Sequence, residues 1–319
     1  MVRPEIAKLG HVAIVTPDME KSLWFFKEVI GLEETETVNG TVYLRAFGDF
    51  EHHTLSLTEG EKGYVDHIGW KAKSPEDVEK FAHLLRETGT DVTWVEPGKE
   101  AGQGAAIRFR LPSQHCFEIY YDMERPTAED NKRSVLRNQV YRSYRKGISP
   151  RRIDHVNCAT SMNVQEITEF LNKQLGFKYR EYIQDDAGNI TSAWLSVTPL
   201  VHDIAIIPRP HAETPNRLHH ISYWVDTPGD LLRAADILTE AGIKFIGPGK
   251  HGITQAMYIY VIDPGSGVRV ELFNGGYLIF DPDWEPVVWT EEERPIGNTY
   301  WGETVMDKEM NQPTVQCGA

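Results

Sequence analysis

Apolar residues along the chain follow two periods. Runs that alternate apolar and polar positions, the period of a strand, give way to stretches with apolar residues three and four apart, the period of a helix. The switch occurs four times, and each recurrence opens on a strand-like run that begins at a histidine: His11, His67, His155 and His220. The predicted helices carry one apolar face each: Leu23, Phe26 and Ile30; Val78, Phe81 and Leu85; Val164, Ile167 and Leu171; Leu231, Ala234 and Leu238. Three share a start signal, Thr16-Pro17, Ser74-Pro75 and Thr227-Pro228. The hydroxyl caps free amides, and proline sits where its missing N–H costs nothing. Gly31, Gly89, Gly176 and Gly242 follow as C-terminal stops. Further strand-like runs come next, for instance at 41–45 and 54–57, so each unit reads as βαβββ.

His155 follows His11 at nearly the offset by which His220 follows His67 and Glu271 follows Glu118. The chain is therefore a doubled pair of units. One βαβββ unit leaves a sheet face uncovered, so units should pair. The expected fold is α+β: four βαβββ modules in two domains, each a curved mixed sheet enclosing a cavity. The domains are expected at 1–145 and 146–276. Residues 277–319 lie outside the repeat and carry Trp284, Trp289, Tyr300 and Trp301. That is more aromatic surface than a disordered acidic end usually holds, and the segment is read as a tail covering the second domain.

A length of 319 residues suits two domains, and a 40% apolar fraction supplies their cores. No run approaches the roughly 20 apolar residues of a membrane span, and the first residues lack an apolar run of signal-peptide length. Three scattered cysteines (Cys116, Cys158, Cys317) point to a reducing cytoplasm, with Cys116 and Cys158 as small core fillers. A net charge of −14 disfavours nucleic acid and anionic membrane as partners. The basic stretch at 132–152, including Arg142, Arg145, Lys146, Arg151 and Arg152, reads as a solvated connector or subunit contact.

The chemistry lies in the histidines and two glutamates, Glu118 and Glu271, on the strands that close a module. Two imidazoles and a carboxylate leave half of an octahedron open, the pattern of non-haem Fe(II) oxygenases. Both halves keep such a triad. The second half adds His202, on a run aimed at the cavity, and His251 and Tyr260 upstream of Glu271. The matching first-half stretch, 98–108, has no histidine and places Arg108 near the tyrosine position, where it would repel a metal and could pair with Glu118. His53 matches His202. The working triad is expected to be His155, His220 and Glu271, with His11, His67 and Glu118 as satisfied core groups. Between His219 and His220, repeat register with His67 selects His220 as the inward residue, and alternation turns His219 to the other face.

The second-half sequence, with His155, His202, His220, His251, Tyr260 and Glu271 in their local contexts, resembles the extradiol catechol dioxygenases of the vicinal-oxygen-chelate superfamily. The likeness covers nearly the whole chain and is nearest to the catechol 2,3-dioxygenase type. It implies Fe(II), with Mn(II) open, held by His155, His220 and Glu271, and O₂ insertion beside the diol to give a ring-opened semialdehyde. It further implies that His202 is the acid–base group, that Tyr260 hydrogen-bonds a substrate oxygen, that His251 is a donor at the substrate, and that the enzyme is a homotetramer. Asn157 would support the substrate and Trp194 would line its pocket. The stretch 246–250 offers Lys250 but no arginine for a substrate carboxylate. Catechol or an alkyl catechol is expected, before an acid-bearing catechol such as homoprotocatechuate. A glyoxalase-type enzyme would not account for His202, His251 and Tyr260 together, and a pure binding module would not need the ionised carboxylate of a complete triad.

Overall fold

The computed structural model describes residues 3–143, 146–209, 214–303 and 315–318. The first half supplies β1 (Ile6–Thr16), β2 (Glu33–Val38), β3 (Thr41–Arg45), β4 (Leu55–Glu59), β5 (Tyr64–Ala72), β6 (Val92–Val95), β7 (Ala106–Arg110) and β8 (Cys116–Tyr120). Their pairing order is β2-β3-β4-β1-β5-β8-β7-β6, antiparallel except where β1 meets β4 and β5 meets β8. The second half repeats it with β9 (Arg152–Thr160), β10 (Lys178–Gln184), β11 (Ile190–Ser196), β12 (Ile204–Pro208), β13 (Arg217–Trp224), β14 (Phe245–Lys250), β15 (Ala256–Ile262) and β16 (Arg269–Gly275). The order is β10-β11-β12-β9-β13-β16-β15-β14, again parallel only at β9–β12 and β13–β16. In each half the two histidine strands are thus antiparallel neighbours, and the glutamate strand lies beside the second of them.

Four helices pack on the sheets through the faces the sequence predicts. The first begins as α1 (Met19–Leu23) and continues with π-helical geometry over Trp24–Ile30, burying Phe25, Phe26, Val29 and Ile30. The wider turn lets adjacent Phe25 and Phe26 both face inward, which a 3.6 period alone does not anticipate. Here the start signal differs from expectation. Asp18, not Thr16, caps the helix by accepting from the Lys21 amide, while the Thr16 hydroxyl bonds Ser22. α2 (Pro75–Glu87), capped by Ser74, buries Val78, Phe81 and Leu85; α3 (Val164–Leu175), capped by Asn163, buries Val164, Ile167 and Leu171. α4 (Pro228–Glu240) has a capping box of Thr227 and Asp230. Each fully buried Leu, Ile or Phe contributes about 1.5–3 kcal/mol, so these faces fix the helices on the sheet. Cys158 lies in this core as expected, but Cys116 is only partly buried.

The tail is built into both halves. β17 (Val287–Thr290) runs parallel to β10; after α5 (Arg294–Asn298), β18 (Trp301–Gly302) pairs with β14. β19 (Val315–Cys317) pairs with β5 of the first half and β13 of the second, joining the sheets. Trp289 packs with Ile183, Trp194 and Ile253, whereas Tyr300 and Trp301 stay exposed. No helix of the described residues is long and apolar enough to cross a membrane. Arg145 of the basic stretch lies outside the described residues. Arg151 and Arg152 pair with Asp226 and Asp154.

Candidate active site in the second half

His155 on β9, His220 on β13 and Glu271 on β16 come from three adjacent strands and converge on one buried point. The Nε2 atoms of His155 and His220 are 3.2 Å apart, and Glu271 Oε2 lies 2.9 Å from the first and 3.4 Å from the second. Ligands at about 2.1 Å from a divalent ion, mutually cis, are separated by about 3 Å, so the three atoms fit one face of an octahedron. The outer ring nitrogens are engaged. His155 Nδ1 donates to Asp154 Oδ1 (2.8 Å), so Nε2 faces the common point and can accept an ion there once its own proton has left. His220 Nδ1 meets His219 Nδ1 at 2.8 Å. Glu271 Oε2 is buried and makes no hydrogen bond among the described residues, as a ligand oxygen requires.

Charge reinforces the geometry. Burial works against the His155 imidazolium, but the Asp154 and Glu271 carboxylates outweigh it and raise its pKa to about 9. Burial, partly opposed by Glu271, holds His220 down to about 3. Burial works against the Glu271 carboxylate, yet His220 and His155 keep it ionised, well below the usual range. The pocket is prepared for positive charge at its centre.

The cluster opens into a cavity of about 410 Å³. Trp194 from β11 and Tyr260 from β15, opposite wings of the sheet, both line it, so the sheet wraps round the space. His202, just before β12, is buried with its ring centroid 3.9 Å from that of His155. Burial and the neighbouring His155 hold its pKa well below the ordinary value, so it is neutral at neutral pH. Tyr260 stands opposite Glu271 across β15–β16, and burial and that carboxylate keep its phenol protonated. Its hydroxyl is 3.1 Å from His251 Nε2. His251 Nδ1 faces the Asn298 carbonyl, which only accepts. In the neutral imidazole Nδ1 therefore carries the hydrogen and Nε2 accepts from Tyr260, so His251 stands here as an acceptor and not as the expected donor. Asn157, on β9 two residues beyond His155, also lines the cavity.

Two expectations are corrected here. His219 lines the same cavity as His220 instead of facing away. A β-bulge between Leu218 and His220, opposite Cys158 and Asn157, inserts His219 as an extra residue and breaks the alternation. Arginines also reach the cavity, although 246–250 supplies none: Arg209 and Arg294 line it. The Arg294 guanidinium donates to Glu291 (2.6 and 2.8 Å), Ser192 (3.0 Å) and Thr191 (2.8 Å). Sequence reasoning also missed Glu181. This buried carboxylate accepts from the Thr254 amide, the Tyr277 hydroxyl and the Trp289 indole, and so ties the tail to the cavity wall. α5 then contributes Arg294, Gly297 and Asn298 to the lining. No local signal marks these contacts, because Glu181 and its partners are far apart in the chain.

The first half gathers His11, His67 and Glu118, with Glu100 added, into a second buried cluster. Arg108 pairs with Glu118 as the sequence suggested (Nε to Oε2, 2.6 Å). The expectation that His11, His67 and Glu118 are satisfied is only partly met, since His11 Nδ1 makes no hydrogen bond among the described residues; nor does Oε2 of the added Glu100.

Residues 152–272 match the Glyoxalase/Bleomycin resistance protein/Dioxygenase superfamily, and residues 65–124 match the catechol 2,3-dioxygenase-like N-terminal domain. The chain belongs to the extradiol ring-cleaving dioxygenases of this vicinal-oxygen-chelate superfamily. It is 55% identical over 316 residues to the manganese-dependent 2,3-dihydroxybiphenyl 1,2-dioxygenase of Geobacillus genomosp. 3, covering 98% of this chain and 99% of that one. It is 38% identical to the metapyrocatechase of Geobacillus stearothermophilus, covering 93% and 90%. Among solved structures, homoprotocatechuate 2,3-dioxygenase of Brevibacterium fuscum in complex with 3,4-dihydroxyphenylacetate superposes with a TM-score of 0.86 at 28% identity, covering 98% and 93%.

Proposed function

We propose that residues 146–276 form the catalytic domain, with 277–319 as its cover, and that it cleaves catechols carrying no charged substituent, including aryl-substituted diols. The observation that carries this reading is the His155–His220–Glu271 cluster opening into a cavity with His202, His251 and Tyr260 on its wall. His155, His220 and Glu271 hold Mn(II) or Fe(II); the 55% identity to a manganese-dependent relative favours manganese. When bound, the divalent ion supplies the redox centre at which diol and dioxygen meet.

The remaining work falls to the chain. A catechol must lose protons to chelate, and His202, neutral and beside His155, is placed to take a proton and return it to the oxygen side. Tyr260, its hydrogen donated to His251, presents its oxygen to the diol and orients it. Asn157 adds a polar contact on the β9 side. Trp194, Ile253 and Phe273 form the apolar wall for the ring. Glu291 already matches the charge of Arg294, which favours neutral substituents; the presence of Arg209 in the lining favours an acid-bearing catechol as the alternative. The low cysteine count and the family resemblance support a cytoplasmic homotetramer.

The test is to load the metal-free protein with Mn(II) or Fe(II) and supply catechol, 2,3-dihydroxybiphenyl or 3,4-dihydroxyphenylacetate in air. A yellow ring-opened product with matching O₂ uptake is expected, with kcat/KM lowest for the carboxylated diol. The assignment fails if no diol consumes O₂, and the substrate preference fails if the carboxylated one is best.

A further inference from the structure

The first-half cluster repeats the geometry of the catalytic cluster, except that Gly10 precedes His11 where Asp154 precedes and holds His155. The Nε2 atoms of His11 and His67 are 3.1 Å apart, against 3.2 Å in the second half. Glu118 takes the place of Glu271, and Arg108 stands opposite Glu118 as Tyr260 stands opposite Glu271. Asp66 holds Nδ1 of His67 at 2.8 Å, as His219 does for His220. On the loop before β7, Glu100 takes the part of His251 and reaches His67 Nε2 at 3.0 Å and His11 Nε2 at 3.4 Å.

What differs is charge. Three carboxylates, Asp66, Glu100 and Glu118, surround two imidazoles, and the Arg108 guanidinium contacts all three. Nε meets Glu118 at 2.6 Å, Nη1 meets Asp66 at 3.2 Å, and Nη2 bonds Glu100. The guanidinium therefore ties β5, β8 and the Glu100 loop together, as an ion ties its ligands. Yet it does not exhaust them. Glu100 Oε2 is buried and makes no hydrogen bond among the described residues, and it points at His11 and at His53 Nε2, 3.5 Å away. One ligand atom from each of His11, His67, Glu100 and Glu118 lies within 4.8 Å of the others.

We propose that the first half holds a latent divalent-cation site, His11, His67, Glu100 and Glu118, in which the Arg108 guanidinium takes the place of the ion. Two imidazoles and two carboxylates suit Mn²⁺, Fe²⁺, Co²⁺ or Zn²⁺, so the ligands alone do not exclude these ions; the fixed positive charge does. The arrangement confines a redox-active ion to the half with the substrate cavity while the guanidinium keeps the cross-strand ties of the first half.

Mn²⁺ binding measured by equilibrium dialysis, with the EPR signal of free Mn²⁺ as a second readout, tests this. Arg108→Tyr, which installs the second-half residue, and Arg108→Gln should raise stoichiometry from about one to about two ions per chain. The added ion should disappear when His11→Ala is combined with either change. The proposal is overturned if both folded variants bind no more Mn²⁺ than the parent. It is equally overturned if the parent already loses an ion through His11→Ala, since guanidinium and ion would then coexist. Failure of both variants to fold even with excess Mn²⁺ also refutes it, because an ion that replaces the guanidinium should restore its ties.

Discussion

Replacing Glu181 with glutamine tests whether the tail is a cover. The Glu181 carboxylate uses both oxygens: Oε1 accepts from the Thr254 amide (2.7 Å) and the Tyr277 hydroxyl (2.9 Å), and Oε2 from Trp289 Nε1 (2.7 Å). An amide has one accepting oxygen. Turned toward Thr254 and Tyr277, it sets its NH₂ against the indole N–H; turned the other way, it opposes the Thr254 amide. Either orientation leaves a buried donor unmatched, at a cost of about 1–3 kcal/mol. Part is recovered, because burial raises the Glu181 pKa and the neutral amide escapes that penalty. A net loss of about 1–2 kcal/mol corresponds to a 5–30-fold rise in the open population. Amide exchange of 287–298, followed by mass spectrometry, should accelerate by that factor. KM for catechol should rise, and O₂ uptake should exceed ring-opened product as water reaches the reacting centre. Accelerated exchange with unchanged KM and stoichiometry would refute the cover; unchanged exchange would refute the anchor. The point change is cleaner than deleting the tail, which also removes β19 and its pairing with both sheets.

Other expectations follow from the same geometry. Glu271→Gln should abolish both bound metal and ring cleavage, while Glu118→Gln should leave metal content unaltered; the reverse pattern by elemental analysis would place the working site in the other half. His202→Phe should keep its metal and still bind catechol but turn over roughly 10²–10⁴-fold more slowly, and normal turnover or lost metal would remove the proton role. Asp203 is buried, which lifts its pKa to about 6 despite the Val197 and Thr198 amides. A folded pKa above the unfolded value means the native state holds the extra proton between the two, so the cost of this group to stability grows as pH rises from about 4 to about 6 and is absent below about 4. Asp203→Asn should therefore stabilise the protein above pH 7 by up to about 3 kcal/mol and not at all at pH 4; urea melts showing a pH-independent difference would contradict this.

Much was legible in the sequence because it is written locally. Periods of 2 and 3.6, glycine stops and most helix starts depend on residues a few positions apart, and the repeat carries His155, His220 and Glu271 in register onto adjacent strands. The resemblance supplied the family. Tertiary structure decided what depends on partners distant in the chain. The bulge opposite Asn157 brought His219 into the cavity against strand alternation, and the packing of α1 selected π geometry and a different cap. Glu181 found its donors in the loop at 254 and in the tail, and α5 carried Arg294 and Asn298 to a cavity wall built more than twenty positions earlier. Glu100 entered the first-half cluster because a glycine-rich loop could fold its carboxylate over two buried imidazoles. Local pattern sets each element and the face it buries; only closure of the sheet round its cavity decides which side chains meet inside.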